Sequence, residues 1–146
     1  MRHDLATGID KNERTNSMSK KIEIRKSKIK NAGRGVFALT DIKKGEVIEI
    51  CPILIFPGGE YPHLSETKLS GYLFEYTGDS TILALGFGSM YNHTNTPNAK
   101  YEMVEYEGKS EQNNELYFVA TKPIKKDEEI YIDYGGQYKK LYSSAN

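Results

Sequence analysis

The sequence predicts a single, mainly β domain, and three features support this fold class. From Ile22 onward, short runs rich in Ile, Val, Tyr and Phe are separated by Gly, Pro, Asn and Asp, which is the pattern of strands joined by turns. Long amphipathic helices, which a parallel α/β sheet needs for its crossovers, are missing from the pattern. The length of 146 residues is that of one domain with its own core. Residues 1–19 are polar and aperiodic, so we expect a mobile tail at 1–19 followed by one domain at 20–146.

The apolar runs predict nine strands, because β-branched and aromatic residues suit a pleated, half-buried surface. The predicted strands are Ile22–Arg25, Gly35–Ala38, Val47–Ile50, Ile53–Phe56, Tyr72–Tyr76, Ile82–Leu85, Ala99–Val104, Leu116–Ala120 and Tyr131–Ile132. Helical signals predict only a short helix over Leu64–Ser70, one turn at Gly88–Tyr91 and a C-terminal helix over Gln137–Tyr142. Glu107–Asn114 has no apolar residue and is predicted to be a loop.

The charge of the chain is zero overall but unevenly distributed. Residues 1–30 contain nine Lys and Arg against four Asp and Glu, whereas residues 31–146 contain eleven against sixteen. An acidic domain disfavours nucleic acid as a direct partner, since phosphate binding needs a basic face, and favours a basic protein or peptide. The densest acidic stretch is either a solvated loop or a guide for a Lys/Arg-rich peptide. Its acidic residues are Glu102, Glu105, Glu107, Glu111 and Glu115.

The remaining composition excludes several classes of protein. Cys51 is the single cysteine, so an internal disulfide or a Cys-rich zinc site is excluded, and we interpret Cys51 as a small buried residue. The three histidines show no metal-ligand spacing, and we predict no metal. No apolar run approaches the ~18 residues of a membrane span, and the N-terminus lacks the apolar segment of a signal peptide. We therefore expect a soluble protein without a membrane partner, either cytoplasmic or, for a viral or secreted effector, nuclear in a host.

Three motif blocks carry the chemistry, and each is weak evidence alone. The first is Gly33-Arg34-Gly35-Val36-Phe37-Ala38, the second runs from Gly86-Phe87-Gly88 through Asn92-His93 to Pro97-Asn98, and the third is Glu128-Glu129-Ile130-Tyr131-Ile132-Asp133-Tyr134-Gly135. A lone Gly-x-Gly is most simply a turn, a lone Asn-His a turn with a satisfied imidazole, and a lone tyrosine a core ring. Gly86 and Gly88 are interpreted as backbone that passes close beneath the C-terminal segment.

Taken together and in this order, the blocks resemble the SET-domain protein lysine methyltransferases over roughly Ile22 to Tyr138, with the small free-standing viral and bacterial members as the nearest look-alikes. Two departures are visible. The family's Asn-His-Ser-Cys-x-Pro-Asn appears here as Asn92-His93-Thr94-Asn95-Thr96-Pro97-Asn98, and no cysteine cluster flanks the domain.

The resemblance implies a SET fold, that is, a β-clip of several small curved sheets with few short helices and a C-terminal segment threaded beside the Asn-His block. It also implies an S-adenosyl-L-methionine-dependent protein lysine N-methyltransferase that acts on a basic protein tail, with a histone-like tail as one candidate. A SET-like module that binds a peptide or the cofactor without turnover is the alternative. An unrelated small β-barrel interaction protein would require all three blocks to be coincidental.

The resemblance also assigns roles to residues. Tyr134 is the expected catalytic residue and also contacts the cofactor, whose other expected contacts are Gly33, Arg34, Gly35, Asn92 and His93. Arg34 stands where the family often has an aromatic residue. The expected walls of the substrate-lysine channel are Tyr72, Tyr101, Ile132 and Tyr138. Ile132 occupies a position that the family links to the number of methyl groups added, but it has no hydroxyl, so the product state stays open. We further expect a homodimer in which the segment from Gln137 onward helps to close the partner's channel.

Overall fold

The computed structural model describes residues 21–135 and 139–140, and in these residues the chain is mainly β, as the sequence predicts. The expected N-terminal tail lies outside the described residues. The strands, in chain order, are β1 (Ile22–Lys26), β2 (Arg34–Ala38), β3 (Val47–Phe56), β4 (Leu73–Glu75), β5 (Thr81–Ala84), β6 (Asn92–His93), β7 (Ala99–Val104), β8 (Glu115–Ala120) and β9 (Glu129–Ile132). In the described residues, helical structure is limited to α1 (Tyr61–Leu64) and to 3₁₀ turns at Gly58–Glu60, Lys68–Tyr72, Gly88–Met90 and Glu111–Asn113.

The strands form two sheets. The first has the order β1-β2-β9-β6, in which β6 runs parallel to β9 with Asn92 opposite Tyr131 and His93 opposite Ile132. The second has the order β4-β5-β3-β8-β7 and is antiparallel throughout. The parallel β6–β9 pair brings the Asn-His motif beside the strand that leads to Tyr134.

One long strand replaces the two that the sequence predicts at 47–50 and 53–56. β3 pairs with β8 up to Pro52 and with β5 from Ile53 onward. Proline has no N–H to donate to a sheet ladder, so it is tolerated where the strand changes partner. The predicted break at Cys51-Pro52 is therefore an exchange of neighbours within one strand. Cys51 itself is fully buried in the core, which confirms its interpretation as a packed residue.

The helix predictions are partly wrong. The predicted helix at 64–70 is instead α1 followed by the 3₁₀ turn Lys68–Tyr72, whose start is capped by Thr67 Oγ1 accepting the Leu69 N–H. The turn at Gly88–Met90 is confirmed. Most of the predicted helix at 137–142 lies outside the described residues. Lys140, however, forms an antiparallel bridge with Phe74 of β4, so its backbone is extended rather than helical.

The main hydrophobic core contains buried residues of both sheets and reaches the second motif block. Tyr91 is completely buried, and its ring stacks on Phe118 of β8 with ring centroids 4.4 Å apart. Phe74 is also completely buried and meets Tyr101 edge to face at 5.0 Å. Aromatic pairs of this kind add roughly 0.5–1.5 kcal/mol beyond burial. The backbone on either side of Tyr91 is therefore held on a rigid base.

In the described part of the chain, no helix is long and apolar enough to cross a membrane.

Candidate functional site

A cavity of about 740 Å³ lies where the three motif blocks meet. Its size is within the range of small-molecule sites, roughly 300–1,000 Å³. The first block, the Lys68–Tyr72 turn, the second block and the third block all contribute to its wall. Its lining includes Gly33, Arg34, Glu66, Lys68, Tyr72, Ser89, Met90, Asn92, Tyr134 and Lys140.

Side-chain hydrogen bonds from Asn98 join the second block to the third. Asn98 Nδ2 donates to the carbonyl of Glu129 at 3.0 Å, and the N–H of Tyr131 donates to Asn98 Oδ1 at 2.8 Å. The amide of Asn98 thereby supplements the β6–β9 pairing. This clamp gives a physical reason for the Pro-Asn end of the second block.

The Asn92 side chain is oriented by two acceptors. Its Nδ2 donates to the carbonyl of Arg34 and to Glu129 Oε1, each at 3.0 Å. Both amide hydrogens are thus used within the protein, and the group that Asn92 can offer to a ligand is its Oδ1, an acceptor.

Glu129 anchors this arrangement, and sequence reasoning missed it. Its carboxylate is buried and accepts hydrogen bonds from Ser27 Oγ at 2.7 Å, the Lys28 N–H at 2.8 Å and the Tyr131 hydroxyl at 2.9 Å, besides Asn92. Together with burial, the Glu129 charge raises the pKa of Tyr131 to about 12, burial being the larger cause. A buried carboxylate with four donors is a positioning device, because each donor compensates part of its desolvation.

The two glycines of the first block act in different ways. Gly33 has φ of +75°, and a Cβ built on it meets nothing within 4 Å. Glycine is therefore favoured here by the positive φ of the turn and not by a close neighbour. A Cβ on Gly35 would overlap Glu129 Oε1 and come within 2.9 Å of Asn92 Nδ2. Gly35 is therefore needed for the close approach of the Glu129–Asn92 pair.

Tyr134 is half-buried at the cavity and is held at both ends. Its hydroxyl donates to the Tyr91 carbonyl at 2.9 Å, and its N–H donates to His93 Nδ1 at 3.0 Å. Burial, with a smaller contribution from Tyr72, raises the pKa of Tyr134 to about 12. The hydroxyl is therefore protonated at neutral pH. His93 has a role here that the sequence did not reveal, since its imidazole fixes the backbone at Tyr134.

A second buried carboxylate supports the loop beneath Tyr134. Glu49 accepts the Tyr91 hydroxyl at 2.9 Å and the Phe87 N–H at 2.8 Å, while burial raises the pKa of Glu49. A Cβ on Gly86 would come within 2.5 Å of Glu49 Oε2, and one on Gly88 within 2.8 Å of Cys51 Sγ. The close approach expected at these glycines is present, but its expected partner is wrong: the nearest atoms belong to β3 and, for Gly88, also to Ala84 of β5 at 2.6 Å, and not to the C-terminal segment.

The four expected channel residues lie in different environments. Tyr72 lines the cavity and is 40% exposed. Tyr101 is buried in the core, and its hydroxyl donates to the Tyr134 carbonyl at 3.4 Å. Ile132 is completely buried in the core. Tyr138 lies outside the described residues. Their substrate roles stay predictions.

The residues that the structure describes contain no group of three or more His, Cys, Asp and Glu side chains arranged for a metal ion.

Comparison with known proteins identifies relatives. A family model described as SET domain matches residues 33–135. The histone-lysine N-methyltransferase of Schizosaccharomyces pombe that is specific for H3 lysine-37 is 40% identical over 115 residues, covering 78% of this chain and 73% of the relative.

Solved structures extend the comparison. A candidate histone methyltransferase of Plasmodium falciparum is 42% identical with a TM-score of 0.66, covering 81% of this chain and 96% of that one. The Chaetomium thermophilum polycomb repressive complex 2 bound to S-adenosylmethionine matches with a TM-score of 0.68 at 22% identity, over 82% of this chain and 16% of that one. The second likeness is one of fold alone.

Proposed function

Because this chain belongs to the SET-domain family, we propose that it is an S-adenosylmethionine-dependent protein lysine N-methyltransferase. One observation carries the proposal. Gly33 and Arg34 of the first block, Asn92 of the second and Tyr134 of the third converge on one cavity of about 740 Å³. The kinship with methyltransferases is independent support, since the fission yeast relative is a histone-lysine N-methyltransferase and is 40% identical.

The donor and acceptor groups at this cavity fit the amino-acid end of S-adenosylmethionine. Arg34 offers a cation for its carboxylate, and Asn92 Oδ1 offers an acceptor for its ammonium, since both hydrogens of the Asn92 amide are already donated elsewhere. Gly33 keeps the backbone at the cavity wall free of a side chain. When bound, the cofactor supplies a methyl group on a positively charged sulfur. His93 is proposed to contact the adenine through its backbone, and Gly35 to act through Asn92.

Tyr134 is proposed as the catalytic residue. Its hydroxyl is protonated at neutral pH and is oriented by the Tyr91 carbonyl, so it offers the reacting groups a fixed dipole and not a base. A lysine amine must lose its proton before it attacks, and burial of the amine beside the Tyr134 ring favours the neutral form by desolvation. The burial around Tyr134 and the alignment of the amine with the methyl group then provide the rate acceleration without a carboxylate base.

The proposed substrate is a basic protein, and a histone-like tail is the first candidate. The relative from S. pombe acts on histone H3, and residues 31–146 carry an excess of acidic side chains. Within the acidic stretch, Glu105, Glu107 and Glu111 are exposed, whereas Glu102 pairs with Lys100 at 3.1 Å. We propose that the three exposed carboxylates attract the Lys/Arg-rich substrate.

Four finer points stay predictions. They are the special kinship with viral and bacterial members, the domain bounds 20–146, the cytoplasmic or nuclear location, and the homodimer that closes the substrate channel. Light scattering on the active protein tests the homodimer.

The experiment is an incubation of the purified chain with methyl-labelled S-adenosylmethionine and a panel of basic proteins that includes core histones. Transfer of label to lysine, lost in Tyr134→Phe, is the expected result. Cofactor binding without transfer to any protein would overturn the enzyme assignment and would favour the SET-like binding module.

A further inference from the structure

Lys140 is a completely buried lysine at the wall of the cofactor cavity. Its Nζ lies 4.8 Å from the centroid of the Tyr134 ring and 5.2 Å from that of Phe74. The same nitrogen donates to the carbonyl of Ser89, in the second motif block, at 2.7 Å. Lysines are almost never buried to this extent without a specific reason. Neither the fold nor the cofactor contacts argued above require an amine at this place.

The backbone of Lys139 and Lys140 is extended and pairs with the edge of a sheet, as a bound peptide strand does. β4 is an edge strand, and Lys140 bridges Phe74 on its open side in antiparallel register. The Glu75 N–H donates to the Lys139 carbonyl at 2.6 Å, and the Lys140 N–H donates to the Tyr134 carbonyl at 2.6 Å. Side chains alternate in such a segment, so the Lys139 side chain is exposed while that of Lys140 enters the site. Addition of a strand to a sheet edge is a general mode of peptide recognition.

The surroundings of Lys140 Nζ suit a nucleophilic amine. Burial lowers the pKa of Lys140 to about 7, so a large fraction of the amine is neutral near physiological pH. In that form one N–H satisfies the Ser89 carbonyl, and a lone pair remains on the nitrogen. The Tyr134 hydroxyl is held by the carbonyl of Tyr91, two residues after Ser89. The amine and the proposed catalytic group are thus fixed on the same short segment.

We propose that Lys140 occupies the target-lysine position of its own active site and is methylated there in cis. The inference rests on the proposed function. In the reaction the Nζ lone pair forms a new N–C bond to the methyl group. The S–C bond of the sulfonium breaks, its electron pair stays on sulfur to give S-adenosylhomocysteine, and a proton leaves the nitrogen for solvent. Lys140 thereby also competes with an external substrate lysine for the same place.

The first test is the mass of the full chain after incubation with S-adenosylmethionine, with the modified residue identified by peptide mapping. Lys140 should be methylated, and Lys139 should not, although the two are adjacent. Lys140→Arg should lose the modification, whereas the matched control Lys139→Arg should keep it. Methylation spread over exposed lysines, with Lys140 spared, would overturn the inference.

The second test separates reaction in cis from reaction between molecules. The Tyr134→Phe chain retains Lys140 but lacks the proposed catalytic hydroxyl, and it is distinguished by mass from the wild type with which it is mixed. Reaction in cis leaves Lys140 of the Tyr134→Phe chain unmodified and makes the rate per molecule independent of dilution. Methylation of that chain by the wild type would overturn the proposal that the reaction is in cis.

The third test does not depend on activity. Acetylation of the cofactor-free chain by an amine reagent should be at least ~10-fold slower at Lys140 than at Lys139, because the reagent reaches a buried amine only in its open fraction. Equal rates would contradict the docked position.

The tests also separate this inference from the proposed function. Methylation of core histones with Lys140 unmodified would overturn the inference alone, and Lys140 would then be a structural anchor. No transfer to any protein of the panel or to Lys140 would overturn both.

Discussion

Glu129→Gln tests whether the buried carboxylate positions Asn92 for the cofactor. Glu129 is an acceptor for four donors. Oε1 faces Ser27 Oγ and Asn92 Nδ2, while Oε2 faces the Lys28 N–H and the Tyr131 hydroxyl. Glutamine has the same shape but replaces one oxygen with an NH₂ donor. Whichever oxygen is replaced, the new NH₂ group is itself a donor and faces two other donors.

The size of the effect expected for Glu129→Gln depends on which of the four donors can adapt to the new NH₂ group. Either hydroxyl can rotate and accept from the new NH₂, but the main-chain N–H of Lys28 cannot turn. The less costly arrangement therefore places the NH₂ beside Asn92, whose side chain can move. One buried donor without its partner costs roughly 1–3 kcal/mol. Displacement of Asn92 removes its Oδ1 from the cavity, so the same cost should appear as roughly 5- to 150-fold weaker S-adenosylmethionine binding.

The assay is isothermal titration calorimetry with S-adenosylmethionine, together with urea unfolding of the cofactor-free protein. The matched control is Glu128→Gln, which makes the same chemical change one residue earlier on a partly exposed side chain and should alter the free energy of unfolding by less than ~0.5 kcal/mol. Unchanged affinity and unchanged unfolding in Glu129→Gln would refute the reasoning, since four hydrogen bonds to one buried carboxylate could not then be holding the site.

Four further outcomes are expected. Tyr134→Phe should reduce kcat by about 100-fold while the Kd for S-adenosylmethionine changes little, because the hydroxyl acts mainly in the transition state; wild-type turnover in single-turnover assays would contradict the assignment. Asn92→Ala should weaken cofactor binding by roughly 1–3 kcal/mol in calorimetry, and an unchanged Kd would mean that Asn92 only shapes its turn. Gly35→Ala should lower the free energy of unfolding by ~1–3 kcal/mol through overlap with Glu129, and it should also weaken cofactor binding. Gly33→Ala should lower the free energy of unfolding by about 1 kcal/mol because of the positive φ at this position. Retained cofactor affinity in Gly35→Ala would exclude a role of Gly35 in supporting cofactor binding. Methylation of Lys140 should slow about tenfold per pH unit below its lowered pKa, and a rate that is flat from pH 5.5 to 8, followed by mass spectrometry, would contradict a neutral-amine nucleophile.

The sequence was sufficient for those parts of the fold that depend on local pattern. The β-branched and aromatic runs predicted most strands, and the span of β7 was predicted without error. Strand β6 has only two residues and exists because Asn92-His93 pairs with β9. A segment that short has no periodicity of its own.

The parts of the site that were missed depend on partners distant in the chain. Glu129 follows another glutamate at the start of β9, and the sequence does not say which of the two points inward. Lys140 falls within the helix that the sequence predicts over Gln137–Tyr142. The partner that makes its backbone extended is Phe74, and no local pattern encodes that contact.

Tyr134 and Lys140, the two ionisable groups at the proposed reaction centre, are kept neutral by the same cause. Burial raises the pKa of Tyr134 to about 12 and lowers that of Lys140 to about 7, so between these values the uncharged forms of both predominate. The charged groups that line the same cavity are Arg34, Glu66 and Lys68, yet burial is the cause of the Lys140 shift. A group whose pKa is lowered on docking contributes stability above its ordinary value of 10.5 and loses it as the pH falls through about 7. This loss is complete near pH 7, whereas the neutral fraction of the docked amine falls only below about 7, so on acidification the docking of Lys140 should weaken first and its reactivity second.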